Sequence, residues 1–182
     1  MRDEYWHAFF WVFVVASWAF GFAYGRWAGG GGFFSELGKA VSVPLGFSSW
    51  WQPLVYFTLT ILAMFVLAQL FFGVGAAIFL FARGVGDSAV ILALEDIVRK
   101  FPDFLTRDAW MLVLGMLILV VNLPLCIWSA HLGTQRTVYM WRRLRGQPMK
   151  PETATKPIFN FLIVMAISII TGVVAAVAFS YA

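Results

Sequence analysis

The stretch from Trp51 to Leu94 is almost entirely apolar, with Arg83 and Asp87 as its charged residues. A helix rises about 1.5 Å per residue and crosses the hydrocarbon core in about 20 residues, so this stretch is too long for one crossing. Because lipid cannot hydrogen-bond to the backbone, membrane-spanning segments form helices or closed barrels. The runs here are continuous and lack the period of two that barrel strands show, which predicts helices.

The composition also indicates that this chain folds in lipid. Hydrophobic residues make up 62% of the chain and charged residues 12%, against about 25% charged in soluble domains. A water-soluble fold would expose many of the 9 Trp and 19 Phe side chains in patches that aggregate. We therefore predict an all-α, polytopic helical membrane protein, a single transmembrane domain over residues 1–182.

Five transmembrane helices are predicted, at about 5–24, 51–72, 76–94, 109–132 and 157–181. Gly73 and Gly75 mark the expected turn between the second and third, although one broken helix is the alternative to a hairpin. After the run Gly29–Gly32, apolar residues at helical spacing predict a short interfacial amphipathic helix over 33–42. The mixed-charge start of the first span favours a retained helix over a cleaved signal peptide.

Basic residues are densest in the linker 133–156. It contains Arg136, Arg142, Arg143 and Arg145, followed by Lys150 and Lys156. The positive-inside rule predicts that this linker and the N-terminus are cytoplasmic in the cell membrane, with the four arginines anchoring the chain to anionic headgroups. Such localised charge explains the net charge of +4 without a nucleic-acid partner.

Arg83 and Asp87 are the sharpest local feature. Residues four apart share a helix face, so the two side chains can form an ion pair inside the bundle. Gly84 and Gly86 beside them permit close approach of a neighbouring helix. Charges at this depth belong either to a substrate or ion pathway or to a self-neutralised structural pair, and both interpretations are carried forward.

Three further polar or special residues fall in the fourth predicted span. Asn122 precedes Pro124, which removes a backbone donor and predicts a kink whose freed carbonyls bind an ion or a neighbouring hydroxyl. His131 near the end of the span suits a proton-linked role, a metal ligand or a polar anchor. With Cys126 as the one cysteine and no catalytic constellation, we predict neither a metal site nor a cofactor, and no enzymatic activity.

Three segments follow one another along the chain: "FFSELGKAV" after the first span, "LFFGVGAAIFLFARGVG" and "NLPLCIWSAHLGTQ". Together with a final hydrophobic span after a basic linker, they resemble the stage II sporulation protein M-like integral membrane family. The chain departs from that family at Arg83, where the family has asparagine, and at Asn122, where it has glutamate. The resemblance implies a multispan protein associated with envelope remodelling, with no cofactor and no established catalytic residue.

Two functions are consistent with these features. One is a non-enzymatic scaffold or accessory subunit of the cell envelope, favoured by the absence of catalytic groups and by the small residues on helix faces. The other is a small channel or transporter that uses the intramembrane polar residues Arg83, Asp87, Asn122, Pro124 and His131. Both predict, besides the lipid bilayer, a homo-oligomer or other membrane proteins as partners.

Overall fold

The computed structural model describes residues 2–27, 33, 36, 38, 41, 47, 49–99, 113–146 and 151–180, and their regular structure is helical without strands. The helices are α1 Arg2–Trp27, α2 Gln52–Gln69, α3 Val74–Arg99, α4 Leu123–Leu144 and α5 Pro151–Ser180. A 3₁₀ turn, Leu70–Gly73, joins α2 to α3, and a π-helical segment, Leu117–Asn122, leads into α4. The predicted all-helical fold class is confirmed.

Four helical stretches in the described part of the chain are long and apolar enough to cross a membrane. They are Gln52–Gln69, Val74–Asp96, Val113–Leu144 and Thr155–Val177. The fold is thus compatible with a polytopic membrane protein.

Helices α1 and α3 pack side by side in parallel. Phe10 near the start of α1 lies against Gly73 just before α3, and Arg26 at the end of α1 pairs with Glu95 late in α3 at 3.1 Å. Midway, Gly84 lies against the α1 backbone, where an added Cβ would overlap the Trp18 carbonyl. The missing side chain is what allows the two helix axes to come so close.

The chain reverses direction between α2 and α3. Phe72 and Gly73 have positive φ angles of 54° and 99°, which break the helix, while Gly75 already belongs to α3 and lies against the Leu67 carbonyl. A glycine suits this conformation because it has no Cβ to clash. The hairpin alternative is therefore the one the structure shows.

Helices α2, α4 and α5 form the rest of the bundle. Helix α4 runs parallel to α2, with Ser129 donating a hydrogen bond to the Ile61 carbonyl at 2.9 Å. Helix α5 runs antiparallel to α2, with the Phe65 and Phe161 rings stacked at 3.9 Å and Ser168 bonded to the Phe57 carbonyl. Buried apolar side chains from α1 to α5 fill the space between the helices.

Several helices extend beyond the predicted spans. The fourth helix continues past 132 to Leu144, so the first half of the linker predicted over 133–156 is helical. Polar residues alone do not end a helix, and this one ends beside Gly146, whose φ is +70°. The fifth helix begins at Pro151, ahead of the predicted 157, and the third extends to Arg99.

The predicted interfacial helix over 33–42 falls mostly outside the described residues. Phe33, Glu36, Gly38 and Val41 are described, each in helical conformation. Gly38 is buried and packs against Val85 of α3. The interfacial location of the segment stays a prediction.

Candidate functional site: a buried polar network

Arg83 and Asp87 lie on one face of α3 and point into the bundle. Their side chains are 0% and 1% exposed, respectively, so both charges are removed from solvent and from lipid. The Arg83 Nε donates to Asp87 Oδ2 at 3.4 Å. The i, i+4 pairing that the sequence indicated is present in the structure, and it is the centre of a wider network.

The Arg83 guanidinium reaches across to the π segment and α4. Its Nη1 donates to Asn122 Oδ1 at 2.7 Å and to Cys126 Sγ at 2.9 Å, and its Nη2 donates to the Ile118 carbonyl at 3.2 Å. Each of the three guanidinium nitrogens therefore has a protein partner. Such charge-assisted bonds are stronger than neutral ones, and the buried cation would be costly without them.

Asp87 is held from the opposite side by α1. The Trp18 indole Nε1 donates to Asp87 Oδ2 at 2.9 Å, so this carboxylate oxygen accepts from both an indole and a guanidinium. The ion pair is thereby a link between α1 and the π segment, with α3 between them. Helix α3 alone carries both charges, but its neighbours supply most of the hydrogen bonds.

Asn122 extends the network to α2. Its Nδ2 donates to Thr60 Oγ1 at 3.2 Å, while Thr60 itself donates to the Tyr56 carbonyl at 2.9 Å. The network thus contains a residue or backbone group from α1, α2, α3, the π segment and α4. It joins the parallel α1–α3 pair to the α2–α4–α5 group.

The Ile118 carbonyl of the π segment accepts from two donors. Ile118 O accepts from the Leu123 N–H, closing a wide turn, and also from Arg83 Nη2. Pro124, which has no N–H, follows directly and disfavours a regular α-helical register upstream. The Ile118 carbonyl keeps its backbone donor, so the freed-carbonyl role predicted near Pro124 stays a prediction, and the proline side chain itself is exposed.

His131 lies apart from this network. Its ring is within 5.0 Å of the Trp11 ring and 5.5 Å of the Phe10 ring, measured between centroids, and Gln135 Nε2 lies 2.9 Å from its Nε2. Among the described side chains, no three His, Cys, Asp or Glu residues come together in a way that would hold a metal ion. His131 is therefore placed as a link between α4 and α1.

The four arginines of the predicted anchoring cluster lie on the last turns of α4 and just beyond it. Arg143 and Arg145 are exposed, and Arg145 stacks over the Trp141 ring at 4.7 Å. The Trp141 ring meets Phe72 of the α2–α3 turn edge-on at 5.8 Å. Arg136, one to two turns earlier, lies 5.9 Å from the Phe65 ring.

Five network members were not singled out as site residues from the sequence: Trp18, Tyr56, Thr60, Ile118 and Cys126. Thr60 and Tyr56 are ordinary residues for an apolar span, and nothing in their spacing points to α3. Cys126 follows Asn122 by four residues, so its position on the Asn122 face was available as a signal. No sequence signal marked Trp18 as a network member, because its partner Asp87 is 69 positions away in the chain.

In comparisons with known proteins, no family model, no curated protein and no solved structure matches the chain.

Proposed function

We propose that this chain is a non-enzymatic membrane scaffold or accessory subunit of the cell envelope. The observation that carries the proposal is the bonding of Arg83, whose three guanidinium nitrogens each donate to at least one protein group. A transport or catalytic centre keeps part of its charge available to a ligand. In this chain the Arg83 guanidinium instead bonds to groups that join the helices.

The envelope assignment rests on the three segments that resemble the sporulation protein M-like family.

A scaffold also needs a surface for partners, and α5 is the least buried of the four candidate spans. One side of it carries a stripe of exposed apolar residues: Phe159, Leu162, Ile163, Ile170, Val173, Val174 and Val177. We infer that a second copy or another membrane protein packs there.

The scaffold proposal predicts a defined complex after gentle detergent extraction. Light scattering or native mass spectrometry should give one particle with a fixed ratio of chains, because helix faces that pack together specifically fix the stoichiometry. A photo-crosslinking residue at Ile170 should yield one discrete product, whereas the same residue at Ile78 should not. Both isoleucines are similarly exposed, at 64% and 60%. A monodisperse monomer would contradict the proposal.

A small oligomeric channel or transporter is the second candidate. The π segment is the observation that favours it, since irregular backbone at membrane depth is tolerated where it is buried in protein or lines a cavity. In this proposal the bundle is an occluded form, and the Arg83–Asp87 pair opens to a ligand. Purified protein in liposomes should then conduct a common ion, and Arg83→Leu with Asp87→Asn should abolish the flux in folded protein. Absence of wild-type flux would remove this candidate.

We further propose five spans, with the N-terminus and the segment after α4 in the cytoplasm. Helix α1 supports the fifth span because it lies along α3 for most of its length, so a membrane crossed by α3 encloses α1 as well. Phe72 and Trp141 place the α2–α3 turn at the same end of the bundle as the arginine cluster. Arginine-rich ends of helices are typically cytoplasmic.

Cysteine labelling in intact cells tests this topology. Phe72→Cys and Leu144→Cys should react only after the inner face is opened, whereas Trp27→Cys and Trp50→Cys should react from outside. All four positions are exposed, and the native Cys126 is buried, so the unsubstituted chain is the unreactive control. Reaction of Trp27→Cys from the inner face would show that α1 does not cross.

A further inference from the structure

The Tyr56 hydroxyl is buried without a hydrogen-bond partner among the described residues. Tyr56 lies one helical turn before Thr60, so the two share a face of α2. Its ring packs against the buried cluster that contains Phe57 and Ile118, and the Ile118 carbonyl accepts a hydrogen bond from Arg83 Nη2. An unpaired hydroxyl therefore lies at the edge of the polar network.

Arg83 has a donor left on Nη2, the atom that bonds to the Ile118 carbonyl. A guanidinium carries five N–H groups: one on Nε and two on each Nη. Nε bonds to Asp87, Nη1 to Asn122 and Cys126, and Nη2 to the Ile118 carbonyl. Within the described part of the chain, this leaves one N–H of Nη2 without an acceptor.

We propose that one water molecule bridges the Tyr56 hydroxyl and Arg83 Nη2. The two groups do not bond directly, and polar groups too far apart for a direct bond are commonly joined by an ordered water. A water oxygen accepts from both donors, and its own hydrogens can reach a carbonyl of the π segment. Buried waters typically have about three such partners.

The charge of the site selects water over an anion. Arg83 and Asp87 already neutralise each other, so a bound chloride would add an uncompensated charge inside the bundle. A neutral ligand that accepts two hydrogen bonds has no such cost. The bridging water would complete the link between α2 and α3, which otherwise runs through Thr60 and Asn122.

The substitution Tyr56→Phe tests the proposal by whether it lowers or raises the thermal midpoint. If the hydroxyl bonds to a bridging water, the variant should lower the thermal midpoint by about 2–4 °C in detergent, through loss of one hydrogen bond. If the hydroxyl has no partner, its removal should raise the midpoint, which would overturn the proposal. Tyr139→Phe, a partly buried tyrosine far along α4, should change nothing.

Solid-state NMR in bilayers gives a direct measurement of the water. Cys126 is the chain's one cysteine, is fully buried and accepts a bond from Arg83, so ¹³Cβ-cysteine labelling gives a single signal beside the site. Polarisation transfer from water to this carbon should be slower in Tyr56→Phe than in the unsubstituted chain. Equal transfer in both would overturn the proposal, as would a midpoint raised by chloride relative to gluconate.

Discussion

Replacing Arg83 with leucine is expected to lower the free energy of unfolding by about 3–5 kcal/mol. The substitution leaves Asp87 buried with its negative charge unpaired, and it removes the donors that hold Asn122 and the Ile118 carbonyl. Among the described residues, the Asp87 Oδ2 atom then keeps only the Trp18 indole as a hydrogen-bond donor. The loss should be read from unfolding in mixed micelles of increasing SDS content.

A double-mutant cycle separates the ion pair from its surroundings. Arg83→Leu combined with Asp87→Asn should cost less than either single substitution, because no unpaired charge remains and the asparagine oxygen can still accept from Trp18.

Arg26→Leu is the matched control, since Arg26 and Glu95 form a partly exposed pair. It should cost about 1 kcal/mol or less. A similarly small effect of Arg83→Leu would show that its guanidinium is solvated.

The ion pair is the part of the network that the sequence made predictable. Arg83 and Asp87 are four residues apart in an apolar helix, and that spacing alone places them on one face. Asn122 was also selected, as a polar residue in a span, but its pairing with Arg83 depends on how α3 and the π segment rotate about their axes. Helix rotation is fixed by packing, which no single helix encodes.

The helix boundaries, like the polar network, depend partly on the local sequence and partly on contacts between helices. Apolar runs located the second, third and fifth helices to within about six residues at each end, because lipid demands about 20 apolar residues in a row. The fourth helix continues to Leu144, past the end of its apolar run, because Thr134 and Thr137 bond to backbone carbonyls both within α4 and on α2. Hydropathy reports the solvent around a helix and not the hydrogen bonds that extend it.

Only some of the glycines in the α1–α3 interface could be predicted from the sequence. Gly84 stood out because it lies beside Arg83, and close helix approach was the interpretation given to it. Gly21 and Gly25, four residues apart on α1, form the facing surface: a Cβ on Gly21 would overlap the Phe81 carbonyl, and one on Gly25 the Ser88 side chain. Small residues at this spacing are typical of closely packed membrane helices.

Gly84→Ala is expected to destabilise the bundle by about 2–3 kcal/mol, the upper part of the range for overpacked cores. The new Cβ would fall well inside the 3.0 Å limit of real contacts with the Trp18 carbonyl, which is backbone and cannot rotate away. Helix α1 must therefore move outward. Because Trp18 also bonds Asp87, the movement weakens the polar network together with the helix contact.

Gly115→Ala is the matched control, because its Cβ would meet the end of the Leu94 side chain at 2.7 Å, which can change rotamer. The gain in helix propensity of about 1 kcal/mol should offset that adjustment, leaving stability nearly unchanged.

Spin labels at the exposed positions Phe20 and Ile78 provide the structural readout for the α1–α3 interface. Gly84→Ala should lengthen the distance between them, and Gly115→Ala should not. Adding Gly21→Ala to Gly84→Ala should cost less than the sum of the two, because both force the same outward movement of α1. Full additivity, or an unchanged label distance, would mean that the two helices are not held in backbone contact.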